Sequence, residues 1–408
     1  MEPDTRRTIA IITGSRAEYG LLRPLMTRLR DDPAIHLQVI VTGMHLDPRF
    51  GLTVQAILED GFSVQEQVEM LLDDDSPMAV ARSMGTGLPR LAAALERTRP
   101  KLVILLGDRY EILCAAQAAM VMNIPIAHIH GGEASEGAMD EAIRHAVTKL
   151  SHLHFTAAEP YRARVIQMGE EPSRVWNVGA LGLDAIAANA WMSKAELEES
   201  IDFSLGERFF LVTFHPVTLT SPPACNRTTA ATAIEELLAA LDLFPRHTLL
   251  FTGVNADPGH AALATAIRDY CRDNPQRAIL IPSLGQRRYL SAMNHCAAVV
   301  GNSSSGILEA PALKVATVNI GMRQQGRLRA SSVLDCIEER HAIADTIDQA
   351  ISPRFQASLP RTTHPFGDGH AAERIMNILK SYPLDHLLIK KFYNHPWKPD
   401  HEKNIHHC

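Results

Sequence analysis

Residues 128 to 145 read His-Ile-His-Gly-Gly-Glu-Ala-Ser-Glu-Gly-Ala-Met-Asp-Glu-Ala-Ile-Arg-His and form the densest run of titratable side chains in the chain. The paired glycines Gly131 and Gly132 end a strand and free the backbone. Asp140, Glu141, Arg144 and His145 then begin a helix in which Asp140/Arg144 and Glu141/His145 stand four residues apart. With His130 and Glu133 before them, these groups suit the movement of protons to and from a substrate. A helix start that is acidic only because the macrodipole favours acids is the plainer alternative. HExxH and comparable ligand spacings are absent, so no metal is expected.

Other strand-end loops offer charge and donors rather than bases. Val300-Gly-Asn-Ser-Ser-Ser-Gly-Ile-Leu-Glu-Ala310 puts Asn302, Ser303, Ser304 and Gly306 between a buried strand and a helix, which makes residues 301–306 a phosphate cradle or, on the plainer reading, a serine-rich turn without ligand. Glu309 lies one or two turns into that helix, where a carboxylate can accept both hydroxyls of a ribose. Asn319-Ile-Gly-Met-Arg-Gln-Gln-Gly-Arg327 adds Arg323 and Arg327 to the same anion. Thr13-Gly-Ser-Arg-Ala-Glu-Tyr-Gly20 opens a helix and carries Arg16; it is an anion loop or an ordinary strand-to-helix turn, and it lacks GxGxxG spacing. Leu106-Gly-Asp-Arg-Tyr-Glu111 places Asp108 beside Arg109. Either Arg109 grips a diphosphate and Asp108 handles protons or sugar hydroxyls, or the two form a structural ion pair. Phe214-His-Pro-Val-Thr218 sets His215 at a further strand end, where location is its main claim to a role.

The elements that must position these loops are legible from periodicity. Short apolar, β-branched runs alternate with amphipathic segments, the pattern of parallel strands covered by helices. Strands are expected at 8–13, 37–42, 102–106, 124–129, 153–157 and 175–178, and in a second series at 209–214, 248–252, 278–281, 298–300 and 315–320. A helical stretch separates the series, with a hinge near residues 179–184. The expected fold is α/β, two doubly wound Rossmann-like domains facing a cleft. The first spans 1–182, joined by a C-terminal helix of about 370–393 that packs back on it; the second spans 183–369, and a polar tail fills 394–408. Ligands of such sheets bind beyond the carboxyl ends of the strands, where every motif above falls.

With 408 residues and 46% hydrophobic content, two cores are expected rather than one. A net charge of −6 supplies no field that would recruit nucleic acid or an anionic membrane. The first apolar run is too short for a signal-peptide core or a span, so a cytoplasmic protein is expected. Six scattered cysteines without CxxC spacing are expected to be reduced thiols. The histidines of the last fourteen residues are read as a polar tail rather than a metal site.

With GSRAEYG, LGDRYE, HIHGGE, DEAIRH, FHPVT, GNSSSG and GMRQQGR in this order, the sequence resembles the hydrolysing UDP-N-acetylglucosamine 2-epimerases of sialic acid synthesis, from about Thr8 to Tyr393. The resemblance implies the glycosyltransferase-B fold and conversion of UDP-N-acetylglucosamine and water into N-acetylmannosamine and UDP, through a 2-acetamidoglucal and without a cofactor. By the same resemblance Arg16, Arg109, His215, Ser303, Ser304, Glu309, Arg323 and Arg327 are UDP-binding positions. Asp108, Glu133, Asp140, Glu141 and His215 are the acid–base and sugar-contacting set, and Arg144 and His45 line the sugar. Several relatives carry Glu at the position of His130, which leaves the C2 base open among His130, Glu133 and Asp140. Alternatives are a hydrolysing epimerase of UDP-2,4-diacetamido-2,4,6-trideoxyglucose, a non-hydrolysing epimerase, a glycosyltransferase and a silent sugar-nucleotide binder. The resemblance further implies a homodimer or homotetramer, for which residues 120–122 offer an apolar face.

Overall fold

The computed structural model describes residues 6–72, 76–135, 138–187, 191–216, 230–254 and 260–394. Seven strands, β1 (Arg7–Thr13), β2 (Ile35–Thr42), β3 (Val64–Val68), β4 (Leu102–Leu106), β5 (Ile126–Ile129), β6 (Leu153–Thr156) and β7 (Val175–Asn177), form one sheet in the order β3-β2-β1-β4-β5-β6-β7. Six more, β8 (Phe209–Thr213), β9 (Thr248–Thr252), β10 (Ala278–Ile281), β11 (Ala298–Gly301), β12 (Thr317–Ile320) and β13 (Val333–Cys336), form a second sheet, β10-β9-β8-β11-β12-β13. Every pairing is parallel. The central strands are apolar on both faces because helices cover both; all five residues of β4, Leu-Val-Ile-Leu-Leu, are buried.

In each sheet the strand order reverses once, between β1 and β4 and between β8 and β11. Crossovers leave such a point towards opposite faces and open a crevice there. The four loops that leave these strands carry Gly14–Arg16, Asp108–Arg109, His215 and Asn302–Ser305. Topology thus brings four separate motifs to two facing crevices.

Edge strands account for what the sequence pattern missed. In β3, Val-Gln-Glu-Gln-Val, exposure alternates and only Val68 is fully buried, so the run lacks the apolar continuity of a central strand. β13, Val-Leu-Asp-Cys, is half-exposed throughout. Pro125 delays β5 to Ile126, two residues later than expected.

The chain passes between the lobes twice, and the passages touch. Ala180 donates its N–H to the Phe366 carbonyl at 2.8 Å, and a Cβ on Gly367 would stand 3.0 Å from the Gly179 Cα. The helix Ala371–Ser381 then packs on the helix Arg16–Asp31 of the first lobe, with Ile375, Met376 and Leu379 in that lobe's core. Asp184 holds its start by accepting the N–H groups of Ala371 and Ala372. This helix is shorter than expected: it ends at Ser381, and Pro383 lies just beyond. Residues after it run along the first lobe, where Lys390 donates to the carbonyls of Lys149 and Ser151 and pairs with buried Glu170. Residues 395–408 lie outside the described region. No described helix is long and apolar enough to cross a membrane.

Candidate active site

β5 ends at Ile129, and His130 turns out of it with φ at +67°. A side chain in that region carries roughly 1–3 kcal/mol of strain that surrounding contacts must offset. His130 Nδ1 lies 2.7 Å from Glu133 Oε1, while its Nε2 is buried without a hydrogen-bond partner among the described residues. Glycine follows because nothing larger fits: a Cβ on Gly132 would stand 2.4 Å from the Tyr161 carbonyl oxygen.

Arg144 is the hub of the first-lobe bank. Its guanidinium is fully buried, pairs with Asp108, meets Glu141 Oε2 at 3.1 Å, and donates to the Glu133 carbonyl at 3.0 Å and Ser135 Oγ at 2.7 Å. Burial by itself would raise the Asp108 pKa; the guanidinium groups of Arg144 and Arg327 overcome it and hold the carboxyl below its usual range. For Glu141 burial again opposes ionisation, but hydrogen bonds from His145 and the Ser135 N–H bring its pKa down to about 2. Burial also opposes ionisation of Glu133, but the charge of Arg327 and the hydrogen bond with His130 bring its pKa down to about 2. Glu141 meets His145 at 3.0 Å, as their four-residue spacing allows. Asp140 instead reaches across to Arg323, at 3.5 Å. Asp108 and Arg109 take different partners, since Arg109 Nε donates to Glu111 Oε1 at 2.7 Å.

The second lobe closes on this bank through arginines. Arg327 meets Glu133 Oε2 at 2.7 Å and donates to Ser135 Oγ at 3.3 Å. Its own lobe is built from small residues. Gly301 adopts φ of +141°, and a Cβ there would stand 2.0 Å from the Thr213 carbonyl oxygen, so only glycine lets β11 pass β8 at this point. Asn302 is buried and grips His215 from both sides, accepting its N–H at 2.8 Å and donating to its carbonyl at 2.9 Å. Ser303 and Ser304, which line the cleft, then lead into the helix Ser305–Ala312.

His215 itself is held neutral. Burial is the main cause, and the charges of Arg323, Arg109 and Arg16 add to it, driving its pKa far below the ordinary value. Those three guanidinium groups therefore converge on one place from both lobes. A cleft runs from it past Arg16, Gly182, Tyr289, Ser303, Ser304 and Glu309. Glu309 sits at the hinge side, against Gly182, and burial pushes its pKa up to about 7. Gly306 is packed on Thr317.

His45 is placed differently from the rest. It is fully buried behind the first loop, with its ring nitrogens 3.1 Å from Thr13 Oγ1 and 2.8 Å from Thr53 Oγ1. His128 likewise serves the fold, bound by Thr148 and the Gly107 carbonyl. Three further residues belong to the site. Ser135 receives both arginines; Tyr289 bonds Ser305; Gln324 donates to the Asn302 carbonyl at 2.9 Å. Ser135 and Gln324 sit inside motifs, but Tyr289 carries no sequence signal. Glu136, Val217 and Thr218 fall outside the described residues.

Two facing parallel sheets with their switch-point loops around a polar cleft define a two-lobed α/β protein of the glycosyltransferase-B type. The solved structure of the UDP-GlcNAc 2-epimerase from Neisseria meningitidis, with UDP-GlcNAc bound, has this fold: the TM-score is 0.74 at 17% identity, covering 91% of this chain and 99% of that one. The family model described as UDP-N-acetylglucosamine 2-epimerase matches residues 27–380. The chain is 37% identical over 95% of its length to the GDP/UDP-N,N'-diacetylbacillosamine 2-epimerase (hydrolyzing) of Campylobacter jejuni, of which 99% is covered. It is 38% identical over 96% of its length to the polysialic acid biosynthesis protein P7 of Escherichia coli, 98% covered. The chain belongs to the UDP-N-acetylglucosamine 2-epimerase family, among its hydrolysing members.

Proposed function

We propose that this protein is a hydrolysing 2-epimerase that releases UDP from a UDP-2-acetamido sugar and inverts C2. One observation carries the reading: a cleft lined by Arg16, His215 and the serines reaches Glu309, whose electrostatic neighbours are Arg327 and, on the first-lobe bank of ionised carboxylates, His130 and Glu133. A glycosyltransferase would need an acceptor site and no such crowding of acid–base groups.

In this reading the diphosphate lies against Arg16, Arg109, Arg323 and the helix N-terminus after Ser303 and Ser304, and the ribose hydroxyls meet Glu309. Departure of UDP from C1 places growing negative charge on an oxygen already faced by fixed donors, the arrangement that lowers such barriers most. His130 is the preferred C2 base. Glu133 and Asp140 are both committed to arginines, and Glu133 near pKa 2 is a poor proton acceptor. His130 Nε2 has no hydrogen-bond partner among the described residues, and Glu133 orients the ring from the other nitrogen. The proton leaves C2, the C1–O bond breaks, and a 2-acetamidoglucal and UDP result. Water then adds its hydroxyl to C1 and passes its proton through Asp108 or Glu141 to the opposite face of C2, while the proton taken by His130 returns to solvent. His215, neutral and gripped by Asn302, is a donor to the diphosphate rather than a cation. Arg144 fixes the carboxylates, and His45 supports the loop behind them.

The sequence alone puts UDP-N-acetylglucosamine first. The Campylobacter relative's name favours the runner-up, UDP-2,4-diacetamido-2,4,6-trideoxyglucose, and we place that sugar first, with UDP-N-acetylglucosamine second. Incubation with each, following UDP release, tests the choice; equal kcat/KM for the two would refute a preference. Closure takes place between lobes that divide near residue 182, about the paired passages at Gly179 and Gly367. Met120 and Val121, both exposed, are the contact we assign to a homodimer or homotetramer, checked by sedimentation.

A further inference from the structure

Two carboxylates in the sequence motifs have no part in this chemistry, Glu18 of GSRAEYG and Glu111 of LGDRYE. Both are buried, and they meet at Gly14 beneath the first loop. Glu18 Oε2 accepts the Gly14 N–H at 2.7 Å; a Cβ on Gly14 would stand 2.4 Å from Glu111 Cγ and 2.9 Å from its Oε1. Glu111 Oε1 takes the Arg109 Nε. The remaining oxygens, Glu18 Oε1 and Glu111 Oε2, are buried and accept no hydrogen bond from a described residue.

Two buried like charges beside one guanidinium do not both stay ionised without a large cost. A single proton on the pair removes the repulsion. We propose that Glu18 and Glu111 are a proton-sharing carboxylate pair that positions Arg109, and that the shared proton sets how strongly the cleft holds a nucleoside diphosphate. This rests on the reading of the cleft above. Glu111 aims Arg109, and Glu18 carries the proton. Loss of that proton adds a negative charge directly behind the diphosphate site.

The groups facing Glu18 agree with this assignment. Burial is the main cause of a pKa raised to about 8, Glu111 and Asp108 push the same way, and Arg109 and the Gly14 N–H oppose them. His45, behind the same loop, is held near 4 by burial and stays neutral through this range. Phosphate groups lose their last proton near about pH 6, so UDP's phosphates do not titrate there. The two sites are therefore linked: binding of UDP raises the proton affinity of the pair, and ionisation of the pair weakens binding.

The test is UDP affinity by calorimetry between pH 7 and pH 9, in the full-length wild type, in Glu18→Gln and in Glu111→Gln, with folding checked by circular dichroism. The wild type should lose about 5- to 150-fold in affinity across the range. Glu18→Gln, which copies the protonated carboxyl, and Glu111→Gln, which removes the repulsion, should both flatten that loss. Ionisation of uracil and of Glu309 is common to all three proteins and cancels. Parallel curves for wild type and both variants would overturn the proposal. Failure of the folded wild type to bind UDP at any pH would instead overturn the reading of the cleft.

Discussion

The two banks of the cleft hold charge in different ways. On the first-lobe bank, side chains hold side chains: Arg144 fixes Asp108 and Glu141, and Glu133 is clamped between His130 and Arg327. On the second-lobe bank, backbone and small residues shape the site: Gly301 lets β11 pass β8, Asn302 grips His215, and Ser303 and Ser304 line the cleft ahead of a helix. Proton transfer needs groups whose protonation state is set, and dense ion pairing sets it. A nucleotide that must leave after each turnover needs many modest donors, which a loop supplies without committing its own charge. The banks should therefore fail in different ways when altered.

The largest effects belong to the first bank. Asp108→Asn and Glu141→Gln are expected to lower kcat by roughly 10²- to 10⁴-fold, with UDP affinity within a few fold of wild type by calorimetry. Equal losses in both quantities would erase the distinction between the banks. Next is Gly301→Ala, where a methyl group collides with the Thr213 carbonyl. It should cost roughly 3 kcal/mol or more of stability and weaken UDP binding more than it changes kcat at saturation, read by melting and by steady-state kinetics. Arg327→Met breaks the link between lobes. Leaving Glu133 buried without its guanidinium typically costs about 3–5 kcal/mol, and the surviving enzyme should show an activity profile displaced to higher pH as the Glu133 pKa rises.

The smallest effect concerns Glu309. Its pKa is raised from the ordinary 4.5 to about 7. The unfolded chain therefore ionises first, and folding loses stability as pH climbs from 4.5 to 7, with the full penalty present above 7. Glu309→Gln should raise the apo melting temperature by a few degrees at pH 8 and leave it unchanged near pH 4. A variant that melts lower at pH 8 would show that the ionised carboxylate stabilises the fold.

The same contrast explains how much was legible in the sequence. The central strands and the cradle were readable because burial on both faces demands unbroken apolar runs, and close backbone approach demands glycine. Edge strands β3 and β13 were not, since solvent on one side permits Gln, Glu and Asp. Of the site, the motif residues stood out by type and spacing, but partners did not. Arg327 with Glu133, and Arg323 with Asp140, are contacts between lobes that no local pattern encodes. The sequence also leaves open whether Asp108 pairs with Arg109; the structure gives each a different partner, Arg144 and Glu111. His45 was associated with the sugar by resemblance, whereas its nitrogens lie against Thr13 and Thr53. Tyr289 was invisible because nothing in its surroundings marks the helix face that meets Ser305.

The most direct test of the account is incubation of the purified protein with UDP-2,4-diacetamido-2,4,6-trideoxyglucose, and in parallel with UDP-N-acetylglucosamine, in deuterated water under proton NMR. The account predicts free UDP and a manno-configured sugar carrying solvent deuterium at C2. A C2-inverted sugar still attached to UDP, or UDP released with the original hydrogen kept at C2, would contradict it.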